Sequence, residues 1–264
     1  MCLILLAFRV HEHYPLIVAA NRDEHHHRPA AAAAFWEDHP QLYGGRDLEK
    51  SGTWMGITRT GRFAAITNYR DGQPAPAAPR SRGALVSGFL TGDRAAQDFI
   101  GEISPAQDQY GGFGLLAGNL EALMFYSNRG APATTVAPGI HGLSNHLLDT
   151  PWPKIRHGAA ALQTALTGID ESAMVSTLFD ALGDRTAADD ARLPATGIPQ
   201  QRERELSPAF ICGEHYGTRS STVLLVHSSG DVLFHEKRYG PNGLALDENA
   251  TRFSLAAGVT ATAG

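Results

Sequence analysis

Residues 2–10, CLILLAFRV, form an almost unbroken apolar run that starts at the second residue of the chain, and a second run, LIVAA at 16–20, follows a polar break at 11–14. Short apolar runs on either side of a turn-length polar break form a β-hairpin. This hairpin constrains what comes after it, because it returns the chain to its own start. The residues delivered beside Cys2 are then Asn21, Arg22, Asp23 and Glu24.

Further along, apolar segments at 53–58 and 62–67, separated by Thr60 and Gly61, read as a second hairpin, and those at 113–117 and 122–126, around Gly118 and Asn119, as a third. Residues 21–40 read as a polar, Ala-rich stretch. A Pro-rich surface loop at 73–79 precedes two short helices at 84–90 and 95–103, and a short strand is expected at 139–144. Apolar residues three and four apart predict helices at 152–166 and 171–182, with Pro151 near the first start and Gly168 and Gly183 near the stops. A charged loop at 184–206 leads to strands at 209–212, 221–227 and 232–236, and the small, polar residues after Arg252 read as a tail. Strands, then helices, then strands, with no visible linker or repeat, predict one α+β layered domain over 1–264.

Composition removes several function classes. Lys and Arg total 22 against 27 Asp and Glu, a formal charge of −5, so no basic surplus exists to drive nucleic-acid binding. The opening apolar run is too short to span a bilayer and has no basic segment before it, so the expectation is a cytoplasmic protein with neither membrane span nor secretion signal. Two cysteines make neither a disulfide framework nor a structural zinc site.

Cys2 directly follows the initiator Met, and a small second residue permits Met removal. The free α-amine of Cys2, with an ordinary pKa of about 7.7–8.0, can then serve as base for its own thiol, which titrates near about 8.5. Arg22 would favour the thiolate and Asp23 would hold the new ammonium. Adjacent strand residues point to opposite faces, so both reach Cys2 only if the turn starts at Asn21; otherwise Asn21 or Glu24 takes one of the roles. The bland alternative is a charged surface turn. Trp54 is either a pocket wall or a core residue. His25, His26 and His27 read as a solvated loop rim, since consecutive residues rarely converge on one ion, and Cys212 is given no role.

Cys2 at the start, the quartet Asn21, Arg22, Asp23, Glu24 followed by Arg28 and Pro29, the run Gly52, Thr53, Trp54, Met55, Gly56, then Thr67, Asn68, Tyr69, the Arg82, Gly83 helix entry, Gly142, Leu143, Ser144, Asn145, and Tyr216, Gly217, Thr218, Arg219 together form a specific pattern over most of the chain. It resembles the NRDE-motif family, also called the transport and Golgi organisation protein 2 family. That family is similar in turn to the cholylglycine hydrolase and penicillin V acylase group, whose members cleave amides with an N-terminal Cys. The resemblance implies a four-layer αββα sandwich of N-terminal-nucleophile type. It implies Cys2 as nucleophile, Arg22 and Asp23 as its holders, Asn68 as an oxyanion-hole amide, Asn145 as an amide near the amine and oxyanion, and Arg219 as a late active-site Arg. Asn21, Glu24, Trp54 and Tyr69 fall on the substrate side.

The function so implied is an amidohydrolase acting on a non-peptide carbon–nitrogen bond of a small molecule through a thioester on Cys2, with no cofactor and no metal. The competing reading keeps the pocket but makes the protein a carrier of a hydrophobic ligand such as haem or an acyl lipid.

Overall fold

The computed structural model describes residues 2–72, 78–130, 132–168 and 170–258. Residues 73–77 of the expected Pro-rich loop and 259–264 of the expected tail lie outside the described residues. Strand β1 (Cys2–Phe8) pairs antiparallel with β2 (Leu16–His25), and this hairpin sits inside a sheet of six strands. Beside β1 lies β10 (Gly139–Leu143); beside β2 lie β11 (Tyr216–Val226), β12 (Asp231–Tyr239) and β13 (Ala245–Ser254), in the order β10-β1-β2-β11-β12-β13. A second antiparallel sheet runs in sequence order through β3 (Ala30–Phe35), β4 (Leu42–Asp47), β5 (Met55–Thr58), β6 (Phe63–Asn68), β7 (Phe113–Gly118), β8 (Leu123–Ser127) and β9 (Thr134–Thr135).

Every residue of β1 is buried, because both faces of its sheet are covered. Ile4, Leu6 and Phe8 face Met55, Ile57 and Phe63 of the second sheet. Leu3, Leu5 and Ala7 pack beneath α3 (Pro153–Leu166) and α4 (Glu171–Leu182), through Leu162, Leu178 and Leu182. A strand without a solvent face has no reason to alternate, which accounts for the continuous apolar run. Burial of one such Leu contributes about 1.5–3 kcal/mol. Gly158 lets α3 approach closely: a Cβ there would come within 2.4 Å of Leu5 Cδ1.

On the far side of the second sheet, α1 (Gly83–Thr91) and α2 (Ala96–Ile103) cover Ala64, Ile66 and Leu115 with Leu85, Phe89 and Phe99. Helix, sheet, sheet and helix therefore stack as the αββα sandwich that the resemblance implies. Several local expectations are corrected. Residues 21–40 hold the end of β2 and all of β3; β4 and β13 were not expected; 209–212 is not a strand; and the loop at 184–206 contains a short helix, α5 (Gln200–Glu205).

Asn21 ties two layers together. It sits opposite Leu3, on the helix-facing side of β2, fully buried. Its Nδ2 donates to Leu182 O and Ala209 O, both at 2.8 Å, and its Oδ1 accepts from the Ser221 hydroxyl at 2.6 Å. Leu182 ends α4, so Asn21 satisfies a carbonyl that the helix itself leaves open. Asn21→Ala should lower unfolding free energy by about 3 kcal/mol, since each buried partner stranded costs about 1–3 kcal/mol. Urea titration at constant m-value checks this, and a loss below about 1 kcal/mol would contradict it.

Candidate active site

The hairpin register places Cys2 directly opposite Arg22. Both share the face of Ile4 and Leu6, which looks into the gap between the sheets. Cys2 is buried, and burial pushes its thiol up; the Asp23 carboxylate adds to that, while the Asp23 backbone N–H and the Arg22 guanidinium pull it down. Glu24, two residues beyond Arg22 and on the same face, lies 3.6 Å from Arg22 Nη2 and 4.0 Å from Arg28 Nε. Arg28 is held in turn by Asp47, at 2.7 Å. Charges alternate along this row.

Strand β2 continues to His25, so Arg22 and Asp23 do project to opposite faces. Both still reach the thiol, Arg22 through its side chain and Asp23 through its backbone N–H. The Asp23 side chain is 2% exposed; its Oδ1 accepts from the Thr218 hydroxyl at 2.7 Å, and Thr218 Oγ1 accepts from Ile211 N at 2.9 Å. Burial raises the Asp23 carboxyl, and Lys154, Thr218 and Arg22 work against it. Tyr216 donates to Asp23 O at 3.2 Å.

A cavity of about 350 Å³ opens over this cluster and is lined by Cys2, Arg22, Asp23, Glu24, Trp54 and Asn68, among others. Asn68 ends β6, and among the described residues no hydrogen bond engages its side-chain amide. These six residues were expected at the site, and the fold brings them together from four strands or their ends.

Four others do not join them. Asn145 is fully buried behind Asn68, with Nδ2 donating to Asn68 O at 3.0 Å and its own carbonyl accepting from Arg70 N at 2.8 Å. Its neighbour Ser144 donates to Cys2 O at 2.9 Å, so this pair fixes the ends of β1 and β6 and does not face the cavity. Arg219 is the extra residue of a bulge in β11, and its Nη1 donates to His25 O at 2.8 Å and Arg28 O at 3.0 Å. It braces the loop after β2. Tyr69 turns to His146, with its hydroxyl 2.8 Å from Nε2. Asn21, as described, serves the helix layer. Among the described residues no group of three or more His, Cys, Asp or Glu side chains is arranged to hold a metal ion.

Three residues near the thiol carry no role in the sequence reading, although Arg82 and Tyr216 belong to the motifs on which the family resemblance rests. Arg82 precedes α1, lines the cavity and donates to Gly112 O at 3.1 Å; burial lowers its pKa, and the charge of Cys2 opposes that. Tyr216 is raised by burial first, then by the charges of Asp23 and Cys2. Lys154, on α3, is 5% exposed, donates to Leu206 O at 3.0 Å and is held down at about 8 by burial, with Asp23 opposing. Lys154 lies outside those motifs and leaves a different trace: it falls on the stripe of Gly158, Leu162 and Ala165, where a helix of this kind is apolar.

Between about 8 and the ordinary value of 10.5 the unfolded chain binds the Lys154 proton and the folded chain does not, so stability rises with pH across that interval. Relative to Lys154→Met, wild type should gain up to about 3 kcal/mol from pH 8 to 10.5. Denaturant titrations of the two proteins check this, and a constant difference over that range would contradict it.

The description of transport and Golgi organisation 2 matches residues 1–241. The chain is 35% identical over 276 residues to the mouse transport and Golgi organization 2 homolog, covering 96% of both, and 38% identical over 260 residues to the bovine homolog, covering 90% of this chain and 92% of that protein. Among solved structures, the C2A mutant of conjugated bile acid hydrolase from Clostridium perfringens aligns with 95% of this chain and 92% of its own at 7% identity and a TM-score of 0.49. The chain belongs to the transport and Golgi organisation 2 family.

Proposed function

We propose that the chain is an amidohydrolase of N-terminal-nucleophile type, in which removal of Met1 makes Cys2 the first residue and its thiol attacks a non-peptide amide. The observation that carries this reading is the thiol's setting. A buried Cys that merely packs has no use for a guanidinium across the strand pair, an N–H aimed at sulfur and a cavity above it. Burial raises the Asp23 carboxyl while Lys154, Thr218 and Arg22 favour its charged form, and the proposal gives it the role of holding the α-ammonium.

In the proposed cycle the α-amine takes the thiol proton as sulfur bonds to the carbonyl carbon. The Asn68 amide donates to the oxygen that becomes negative, a contact typically worth ~10²–10³ in rate. Collapse breaks the C–N bond, and the α-ammonium gives its proton to the departing amine. Water then attacks the thioester, the α-amine takes its proton, the S–C bond breaks, and the acid leaves with the thiol restored. Arg22 and Arg82 favour the negative charge that develops on sulfur as the thiol proton leaves and again as the S–C bond breaks.

The relatives' printed names speak of transport, and on that ground a carrier of haem or an acyl lipid in the same cavity is the second reading. The charged lining disfavours a neutral acyl chain. Among the described residues no helix is long and apolar enough to cross a membrane, and the proposal places the enzyme in the cytoplasm.

Intact mass of the purified protein should lack Met1, and a panel of N-acyl amides followed by amine release should show turnover that falls at least about 100-fold in Cys2→Ser, with the fold kept. Asp23→Asn should lose turnover as well, yet lower the pH midpoint of Cys2 alkylation, because the Asp23 charge raises the thiol. Retained Met1, or unchanged turnover in Cys2→Ser, would overturn the reading.

A further inference from the structure

The chain as a whole carries a formal charge of −5, yet the cavity over Cys2 is cationic. Arg22, Arg28, Lys50, Arg80 and Arg82 line it, against the carboxylates of Asp23, Glu24 and Asp47. Those carboxylates are already engaged. Asp47 accepts from Arg28 at 2.8 Å and from the backbone N–H groups of Glu49 at 2.9 Å and Lys50 at 3.0 Å. Glu24 stands between Arg22 and Arg28 and accepts from His25 N at 2.9 Å. Asp23 accepts from Thr218.

Lys50, Arg80 and Arg82 are left with little. Among the described residues Lys50 is ion-paired only with Glu49, at 3.8 Å. Arg80 lies 5.6 Å from the Tyr110 ring centroid, Arg82 donates to a carbonyl, and among the described residues neither is in an ion pair with a carboxylate. These three stand on the wall that includes Ser81 and Gly83, where α1 begins with no acidic residue in its first turn. A second cavity of about 30 Å³ shares Arg22 and Trp54 with the first and adds Arg46, Arg219, Arg238 and Glu236, with Arg46 already paired to Asp38 and Arg238 to Asp247. Among the described residues Arg80 and Arg82 have no carboxylate in direct contact, and cationic groups in excess over their counter-charges repel one another, an arrangement that an anion relieves.

We infer that the substrate is an anion: an amide that also bears a carboxylate or phosphoryl group, held by Lys50, Arg80 and Arg82 while its carbonyl lies against Cys2. This names the substrate class for the site proposed above and rests on that reading for the chemistry, though not for the binding. It also bears on the carrier alternative, since an uncharged lipid leaves this wall unpaired. Bidentate guanidinium contacts suit both carboxylate and phosphate oxygens, so the two sources are separated by experiment.

The test uses the processed full-length chain carrying Cys2→Ser, titrated with inorganic phosphate and, separately, with glutarate at fixed ionic strength, and followed by calorimetry. At least one anion should bind with a millimolar or tighter dissociation constant, and the double substitution Lys50→Gln, Arg80→Gln should weaken it at least about tenfold; both positions are exposed, so the fold is expected to tolerate them. Binding of phosphate alone or glutarate alone supports the inference and identifies the group. Failure of both to bind at 20-fold above a chloride control, or unchanged binding in the double variant, overturns it. In parallel, Cys2 of the unsubstituted chain is alkylated with iodoacetate and with iodoacetamide, using exposed Cys212 as internal reference. Cys2 should favour iodoacetate over iodoacetamide by about tenfold more than Cys212 does, and equal preference at the two cysteines counts against the inference. If Cys2 resists both reagents while the anion binds, the nucleophile reading falls and the anion site stands.

Discussion

The register of one hairpin, Cys2 across from Arg22, is the constraint on which the rest of this molecule depends. A strand that begins at residue 2 and is covered on both faces puts the start of the chain between two sheets, where a terminus is not usually found. Once there, its polar groups must be met by the protein. Arg22 meets them from the inter-sheet side, Asp23 from the side of the helices, and Ser144 from the neighbouring strand end through the Cys2 carbonyl. A one-residue slip of β2 against β1 would turn Arg22 into the helix layer and leave Cys2 without it on the inter-sheet face.

The polar groups of the helix layer follow from the same placement. Asn21, Asp23 and Lys154 lie in a layer that is otherwise largely apolar, and each carries partners from distant parts of the chain: Leu182, Ala209 and Ser221 for the first, Thr218 for the second, Leu206 for the third. Arg70 and Glu203, 3.0 Å apart and buried, close the same side. Burying this many charges costs stability unless they are paired, and the cost is concentrated beside the candidate nucleophile. Such local expense next to a cavity is what a site requires and what a packing residue does not.

Much of this was legible in the sequence, and the parts that were not share a physical cause. Central strands and the hairpin at the start announce themselves because burial on both faces makes them continuously apolar. Edge strands lack that signal: β3 is a run of alanines with every second or third position open, and β13 carries Asp247, Glu248 and Arg252 on a mostly exposed edge, so both read as polar connection. Residues 209–211 of the expected strand at 209–212 fail in the other direction, apolar because they are buried under the sheet's end yet irregular, with their backbone spent on Asn21 and Thr218. At the site, Cys2, Arg22, Asp23, Glu24, Trp54 and Asn68 come from motifs that adjoin strand ends and Arg82 from a motif at a helix entry that names no role for it, whereas Lys50 reaches the cavity on a loop that carries no periodic pattern. Asn145 and Arg219 show the limit of motif reading: both neighbour the site in space, and both support residues that face it.

The central claim is that a covalent acyl intermediate forms on Cys2. Acid quenching during turnover of an anionic N-acyl amide, followed by proteolysis and mass spectrometry of the N-terminal peptide, reads that claim directly. An acyl adduct is expected on a peptide that starts at Cys2, labile to hydroxylamine as a thioester is. Turnover with no adduct, with an adduct elsewhere in the chain, or from a peptide that still begins with Met1 would contradict it.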